Sequence, residues 1–445
     1  MGDNGLIVGG NRWKTGILGE DVVVKGRIGW KGYKTSDLRS SGPLVIGGTN
    51  VKSRLYIDLS NSKHISLEKF DESPEIKIKE GDVLLVTRGS NIADAAYVHG
   101  NIGDATINPS VIILSKFKGD SRYLFYYLIS LQGRENVLSL SSGSSIPAIY
   151  QNHIKKLNYV KPPIKEQVAI AQILGSLDEK IELNRKMNTT FETMAKTLFS
   201  SWFVDFDPVL AKTKGLKTGL PKRIENIFPD SFEDSVLGEI PKGWKASKIG
   251  NEVTTVLGGT PSRVVPNYWG GDIPWINSGK ANDFRIFVPS ENITKEGLDN
   301  SATKLLPKRT TVIAITGATM GQVSLTEIET CANQSIVGIL GNQTLQNEFV
   351  YFWVKSRIDE LIAWQTGGAQ QHINKNNVND LPVLVPSKIV MQKFVEFVQP
   401  IFDRIKNCCF ETIVLNAFRN ALLSNLISGE LRIKNPTNFT GVLTK

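Results

Sequence analysis

Two long apolar ladders dominate the pattern of this chain. The first runs Ile170, Leu174, Leu177, Ile181, Asn184, Asn188, Phe191, Ala195, Leu198, Trp202, and the second Phe394, Val398, Ile401, Ile405, Cys408, Thr412, Leu415, Arg419, Leu422, Leu426. Both step by four and three residues alternately, the 3.5-residue period of a coiled-coil seam. They predict helices over about 164–204 and 388–428, each a rod of roughly 60 Å. A stripe of this length needs a partner, and the other ladder is the nearest one. Its polar members, Asn184 and Asn188 in the first and Cys408, Thr412 and Arg419 in the second, are the positions that fix register at some cost in stability.

Every member of the second ladder lies 224 positions after a member of the first. The correspondence continues upstream. Ser142-Gly143 matches Thr366-Gly367, Leu157 matches Leu381 and Pro162 matches Pro386 at the same offset. Farther from the helices the offset drifts, as loops of unequal length require. Asn108 to Val111 aligns with Asn333 to Ile336, Tyr123 to Leu128 with Phe349 to Val354, Gly89-Ser90 with Gly317-Ala318, and Trp13-Lys14 with Trp244-Lys245. The period is far too long for a solenoid, so the chain reads as a duplicated domain.

Outside the ladders the pattern changes to short β-branched and apolar runs, such as Val22–Val24, Val83–Val86 and Val111–Leu114, broken by Gly, Asn and Pro. A β-rich domain is expected over 1–162, with one helix near 120–138, and its repeat over 242–386. Long helical segments are expected over 163–204 and 387–431. Residues 205–241, with prolines at 208, 221, 229 and 241, read as a linker, and 432–445 as a flexible tail. Residues 1–11 match nothing in the repeat. The fold class is α+β: two β-rich domains related by an internal repeat and separated by two long coiled-coil helices.

Charge adds a direction to this picture. The chain carries 52 Lys and Arg against 43 Asp and Glu, a net charge of +9. Residues 1–162 hold 21 basic and 15 acidic residues, whereas 242–386 hold 13 and 12. Seven bases and one acid fall within 25–54. Such a stretch is either a solvated face or a phosphate-contacting one. The three cysteines (Cys331, Cys408, Cys409) form no disulfide framework, and no apolar run reaches membrane-spanning length. The first residues carry no apolar signal core, so a cytoplasmic protein with no membrane partner is expected.

The catalytic signatures are missing. There is no phosphate-loop motif and no dinucleotide fingerprint, and the histidines at 64, 99, 153 and 372 have no metal-ligand spacing, so no metal is expected. Asn108-Pro109-Ser110 faintly resembles an adenine-methyltransferase loop but lacks the aromatic, and reads as a turn. The two halves share no catalytic constellation.

The first helical segment, from Pro162 through Glu166-Gln167, Leu177-Asp178-Glu179-Lys180-Ile181 and Asn184-Arg185-Lys186 to Trp202-Phe203-Val204-Asp205-Phe206, resembles the central region of the specificity subunit of type I restriction–modification systems. Ile240-Pro241-Lys242-Gly243-Trp244, Gly258-Gly259-Thr260-Pro261-Ser262, Thr316 to Gly321 and Thr366 to Gln371 resemble the same family. The first domain departs from it: Arg88 to Ile92 stands where a Gly-x-x-x-Gly run is usual, and Ser144-Ser145-Ile146-Pro147 replaces Gly-Ala-Gln-Gln.

The resemblance implies that each β-rich domain reads one half of a split, asymmetric site on double-stranded DNA. It implies that the helices pack antiparallel and set the gap. It also implies that the chain performs no chemistry and binds no cofactor. Two methyltransferase subunits, using S-adenosylmethionine, and restriction subunits, using ATP and magnesium, would supply the reactions. Base readout needs donors and acceptors on loops, and phosphate contact needs Lys and Arg. The candidates in the first domain are Lys25, Arg27, Lys31, Tyr33 and Lys34; Thr49, Asn50 and Lys52; Arg88, Ser90 and Asn91; and Ser144 and Ser145. In the second they are Thr260, Ser262 and Arg263; Asn277, Ser278 and Lys280; Thr316 and Thr319; and Gln370, Gln371 and His372. Trp30 and Tyr33 face either a groove or the core. Two other readings stand beside this one: the recognition part of a fused nuclease–methyltransferase, and a coiled-coil scaffold that binds protein.

Overall fold

The computed structural model describes residues 6–8, 13–27, 33–141, 148–364 and 372–438. The chain forms two compact units, Met1–Leu183 with Thr412–Lys445, and Asn184–Glu411. The boundary falls inside both long helices, Ile164–Phe203 and Lys388–Ser428.

In the first unit a four-stranded antiparallel sheet has the order Val23–Lys25, Val111–Ser115, Val83–Val86, Ala95–Tyr97. A three-stranded sheet places Leu38–Ile46 between Lys63–Ile65 and Ala105–Ile107, parallel to the latter. Thr15–Ile17 pairs with Asn158–Val160. The second unit repeats all three. Thr254–Leu257, Ile336–Leu340, Thr311–Ala314 and Val323–Leu325 form the first sheet. Trp269–Ile276 lies between Glu291–Ile293 and Cys331–Ala332, and Lys245–Lys248 pairs with Pro382–Val385. The internal repeat is therefore a repeat of topology, including a parallel strand pairing in each half.

An aromatic helix fastens each sheet to the long helices. In the first unit, Ser121–Ile129 begins where the Asp120 carboxylate accepts the N–H groups of Arg122 and Tyr123. Its Tyr123, Phe125 and Tyr126 pack with Ile170 and Leu174 of the first long helix and Leu422 and Leu426 of the second. In the second unit Phe349, Phe352 and Trp353 of Asn347–Ser356 pack with Phe199 and Trp202 and with Phe394 and Val398. No ladder residue is exposed. Ile170, Leu174, Ile181, Phe394, Val398, Ile405 and Leu422 are buried, and Leu177, Phe191, Leu198, Ile401 and Leu415 are half-buried.

The long helices run antiparallel. Asp178 meets Arg419 at 2.6 Å, Asn184 donates to Glu411 at 2.8 Å, and Asn188 donates to the Cys409 sulfur at 3.3 Å. The asparagines and Arg419 are three of the five polar seam positions expected to hold register. The first helix starts after Pro162-Pro163, where the Pro163 carbonyl accepts the Glu166 and Gln167 N–H groups. The second passes through the exposed Pro400 and stops at Gly429, whose φ is +82° and where a Cβ would lie 2.7 Å from the Trp13 indole nitrogen.

Three segments differ from the sequence expectation. The one helix expected near 120–138 is two, Ser121–Ile129 and Leu131–Leu138, because Ser130 between them is extended and its hydroxyl accepts the Gly133 N–H to start the second. Residues 205–241, expected as a linker, hold the helices Asp207–Thr213 and Lys222–Glu225 and the hairpin Phe232–Ser235/Gly238–Pro241. Val209, Ile224, Phe228 and Ile240 enter the core of the second unit. The prolines at 208 and 221 open these helices instead of breaking them, since a first-turn residue needs no donated N–H. In the expected tail 432–445, Arg432 and Ile433 belong to the strand Leu431–Ile433, which pairs antiparallel with Leu6–Val8. No described helix is long and apolar enough to cross a membrane.

Each unit has a buried ionic lock on the first long helix. In the first unit, the Tyr126 hydroxyl donates to Asp178 at 2.7 Å while Arg419 pairs with the other carboxylate oxygen. Burial, with Asp178 beside it, pushes the Tyr126 phenol far above its ordinary pKa and keeps it a donor. In the second unit, the wholly buried Arg285 donates to Glu192 at 3.0 Å and to the Tyr351 hydroxyl at 2.9 Å, and Lys355 reaches the same carboxylate at 3.1 Å. Burial alone would raise the Glu192 carboxyl, but the Arg285 and Lys355 cations outweigh it and hold its pKa below the ordinary value.

Two outcomes follow. Asp178→Ala strands the Arg419 charge and destabilises the protein by about 3 kcal/mol, and adding Arg419→Met recovers most of that loss; chemical denaturation measures both. Glu192, with a depressed folded pKa, contributes stability that is present above the unfolded pKa and lost as pH falls through the folded one. Glu192→Gln therefore flattens the acid side of the stability–pH curve, read by thermal melts at a series of pH values.

Candidate nucleic-acid interface

In the first unit three loops meet at one edge of the sheets. Gly48 N–H donates to Ser110 Oγ at 3.3 Å, Asn91 donates to the Gly48 carbonyl at 3.1 Å, and Thr87 N–H donates to the Ser110 carbonyl at 2.8 Å. A fourth segment joins them through Ile149 N–H on the Thr87 carbonyl, at 3.0 Å. Asn108 accepts from the N–H and hydroxyl of Ser110, so Asn108-Pro109-Ser110 is a turn. The second unit builds the same edge. Ile315 N–H bonds Ser335 and Ile373 N–H bonds Ile315, both at 2.9 Å, and Asn333 N–H bonds Ile276 at 3.0 Å. Gly89 and Gly317, equivalent in the repeat, have φ of +97° and +72°, which only glycine adopts cheaply.

The candidate residues divide by where their polar atoms point. Thr49, Arg88 and Ser90 are exposed on the first edge. Asn91 is spent in tying two loops together. Asn50 is buried: its carbonyl accepts Gly47 N–H, and its amide donates to the Asp58 carbonyl and to Ser62. It therefore serves the fold, contrary to its expected part in readout. Tyr33 is half-buried and packs toward Val45, Ile65 and Phe70, on the core side of its two alternatives. Lys25 is half-buried on its strand, and the half-buried Arg27 donates to the Ile107 carbonyl at 2.8 Å. Lys34 is exposed beside Asp37, and Lys52 is paired with Asp58. Lys31, Ser144, Ser145 and Trp30 lie outside the described residues.

On the second edge, Arg263 makes a two-pronged pair with Glu291, at 2.7 and 2.6 Å, and its guanidinium lies 3.5 Å from the centre of the Trp269 ring. That contact holds the Glu291 carboxyl below its ordinary pKa. Thr260 donates to Gln334, and the Ser262 carbonyl accepts from the Trp269 indole at 3.3 Å. Asn277 accepts Gly279 N–H and so shapes the turn carrying Ser278 and Lys280, the latter paired with Asp283. Thr316 and Thr319 bracket Gly317, half-buried, and His372 is exposed. Gln370 and Gln371 lie outside the described residues. Among the described residues no three His, Cys, Asp or Glu gather as a metal ion would require.

Sequence reasoning passed over one group. Tyr150, Gln151, Asn152 and Lys155 face the first-unit edge from the short helix Gln151–Lys155 and the residue before it. They lie outside every glycine-rich loop; the signal available was the repeat itself, which sets Lys155 opposite Asn379.

The model of the type I restriction modification DNA specificity domain matches this chain twice, over residues 33–193 and 241–408. The HindI specificity subunit of Haemophilus influenzae is 26% identical over 90% of this chain and 99% of its own length. The MjaIX specificity subunit of Methanocaldococcus jannaschii is 24% identical over 95% and 98%. Among solved structures, the type I restriction–modification S subunit from M. genitalium shares the fold, with a TM-score of 0.56 at 14% identity over 93% of this chain and 96% of that one.

Asn50→Ala is expected to cost about 1–3 kcal/mol, because it orphans buried partners, without altering any base preference; Thr49→Ala leaves stability unchanged. Denaturation curves read the first effect, and binding to a panel of duplexes reads the second.

Proposed function

The chain belongs to the type I restriction modification DNA specificity family, and from that premise we propose that it selects the DNA sequence on which a type I restriction–modification complex acts. The observation that carries this reading is the duplication. Two domains of one topology present equivalent loop edges, and each is locked to a shared pair of antiparallel helices. Two domains of unequal sequence suit a site of two unequal halves, and a helix pair of fixed register suits a fixed gap between them.

Direct contacts to base edges specify a site, while Lys and Arg on phosphates position the protein. Chemistry belongs to partners: methyltransferase subunits that bind S-adenosylmethionine, taken as two to match the repeat, and restriction subunits that use ATP and magnesium. Val414 and Phe418 of the second long helix, 50% and 53% exposed, offer an apolar strip on which a methyltransferase subunit would seat. The protein works beside the chromosome, in the cytoplasm. The fused-enzyme and scaffold readings have no observation in their favour.

Mapping methylated adenines in cells tests this. Removing the protein abolishes methylation at a two-part site. Exchanging residues 242–386 for those of a relative changes one part and leaves the gap. Inserting one heptad in each long helix lengthens the gap by roughly three base pairs, since seven residues add about 10 Å, and leaves both parts. A changed gap after the exchange, or changed bases after the insertion, refutes the division of labour.

A further inference from the structure

At the loop edge of the first unit lies a cavity of about 400 Å³. Arg27, Arg88 and Lys155 line it together with Tyr150, Gln151 and Asn152, and no acidic residue does so among the described residues. The Arg88 guanidinium lies 5.7 Å from the centre of the Tyr150 ring. Neither Arg88 nor Lys155 has an ion-pair partner among the described residues. Arg27 is held by the Ile107 carbonyl and lies near Glu72 and Glu75. Arg88 and Lys155 line the same concavity as like charges, and an anion between them replaces that repulsion by attraction.

The repeat provides an internal control. A backbone bond beneath the cavity recurs in both units: Ile149 N–H bonds the Thr87 carbonyl as Ile373 N–H bonds that of Ile315. Following the paired strands and helices, Arg27 corresponds to Gly258, Arg88 to Thr316 and Lys155 to Asn379; the one cation gained in return is Lys375, opposite Gln151. The second copy of this topology is built without the three cations. Arg27 is tied to the Ile107 carbonyl, which leaves Arg88 and Lys155 as the pair whose charge the fold does not use.

The choice of anion follows from chemistry and place. A guanidinium fork and an ammonium suit the oxygens of a phosphate. The cavity is lined by Thr87, Arg88 and Pro109 of the loop edge that also carries the Gly48 and Asn91 contact, the edge to which the DNA-selecting reading assigns the duplex. We propose that this cavity seats a backbone phosphodiester of duplex DNA, held by Arg88 and Lys155 above Arg27, and that the first unit has a phosphate anchor that the second lacks. This rests on the DNA-selecting reading above.

The test measures binding of the full chain, with its methyltransferase partner if co-produced, to two duplexes of unrelated sequence over a range of salt concentrations. Arg88→Gln and Lys155→Gln are compared with the unaltered protein, and thermal melts establish that each is folded; both residues are exposed, but Arg88 also lies over the Tyr150 ring, so the Lys155 variant is the safer of the two. Each variant is expected to weaken both duplexes alike and to lower the slope of log K against log salt, by roughly 1 when the two are combined. An unchanged slope, or weakening confined to one duplex, overturns the phosphate anchor while leaving the DNA-selecting function in place. Failure of the unaltered protein to bind either duplex overturns both. In a second arm, inorganic phosphate is titrated at constant ionic strength. A melting shift of the unaltered protein that both variants lose, with no change in their DNA slope, assigns the cavity to a free anion and overturns the proposal.

Discussion

A forty-residue helix with one apolar stripe along its whole length can bury that stripe only against a partner of similar length. Here the partner is the other copy of the same helix, running the opposite way. The rest of the architecture depends on this pairing. The compact unit around the first β-rich domain takes the first half of one long helix and the last part of the other, and the second unit takes the complementary pieces. Neither domain has a complete core from its own repeat alone: Ile170 and Leu174 share a cluster with Leu422 and Leu426, as Phe394 and Val398 do with Phe199 and Trp202.

The two halves show which features the duplication holds constant. Tyr127 donates to the Asn158 carbonyl at 3.0 Å, and its counterpart Trp353 donates to the Pro382 carbonyl at 2.9 Å, so one bond is made by a phenol and its equivalent by an indole. The buried set Tyr126, Asp178 and Arg419 corresponds to Phe352, Phe402 and Ala195, where the two rings meet edge to face at 5.6 Å. A buried ion pair and an apolar contact fill the same place, as expected if the net worth of either is similar when well made. Geometry is retained across the repeat, and the chemistry at each position drifts with its neighbours.

That difference also governs what could be read from the chain. The helices were legible almost to the residue: expected over 164–204 and 388–428, they span Ile164–Phe203 and Lys388–Ser428. A stripe repeated over ten turns gives many independent observations of one phase. The short elements within 205–241 give few, and their prolines look the same whether they begin a helix or break one. The pairing of Leu431–Ile433 with Leu6–Val8 was invisible because neither segment has a counterpart in the repeat. At the loop edges, glycine spacing located the loops but not the direction of side chains. Asn50 turns inward because Asp58 and Ser62, from a separate turn, offer it partners, and no local pattern encodes that.

The division of the chain into one continuous and one discontinuous unit bears on how it is made. Residues 184–411 are uninterrupted, so that unit is complete soon after its last residue leaves the ribosome. The unit begun first, at Met1, waits for Thr412 onward. Until then the stripe at Ile170 and Leu174 lacks its cover from Leu422 and Leu426, and the strand Leu6–Val8 lacks its partner Leu431–Ile433. Synthesis from the N-terminus thus finishes the later domain before the earlier one. For the whole interval the nascent chain displays an apolar surface of the kind that chaperones recognise and that aggregation exploits.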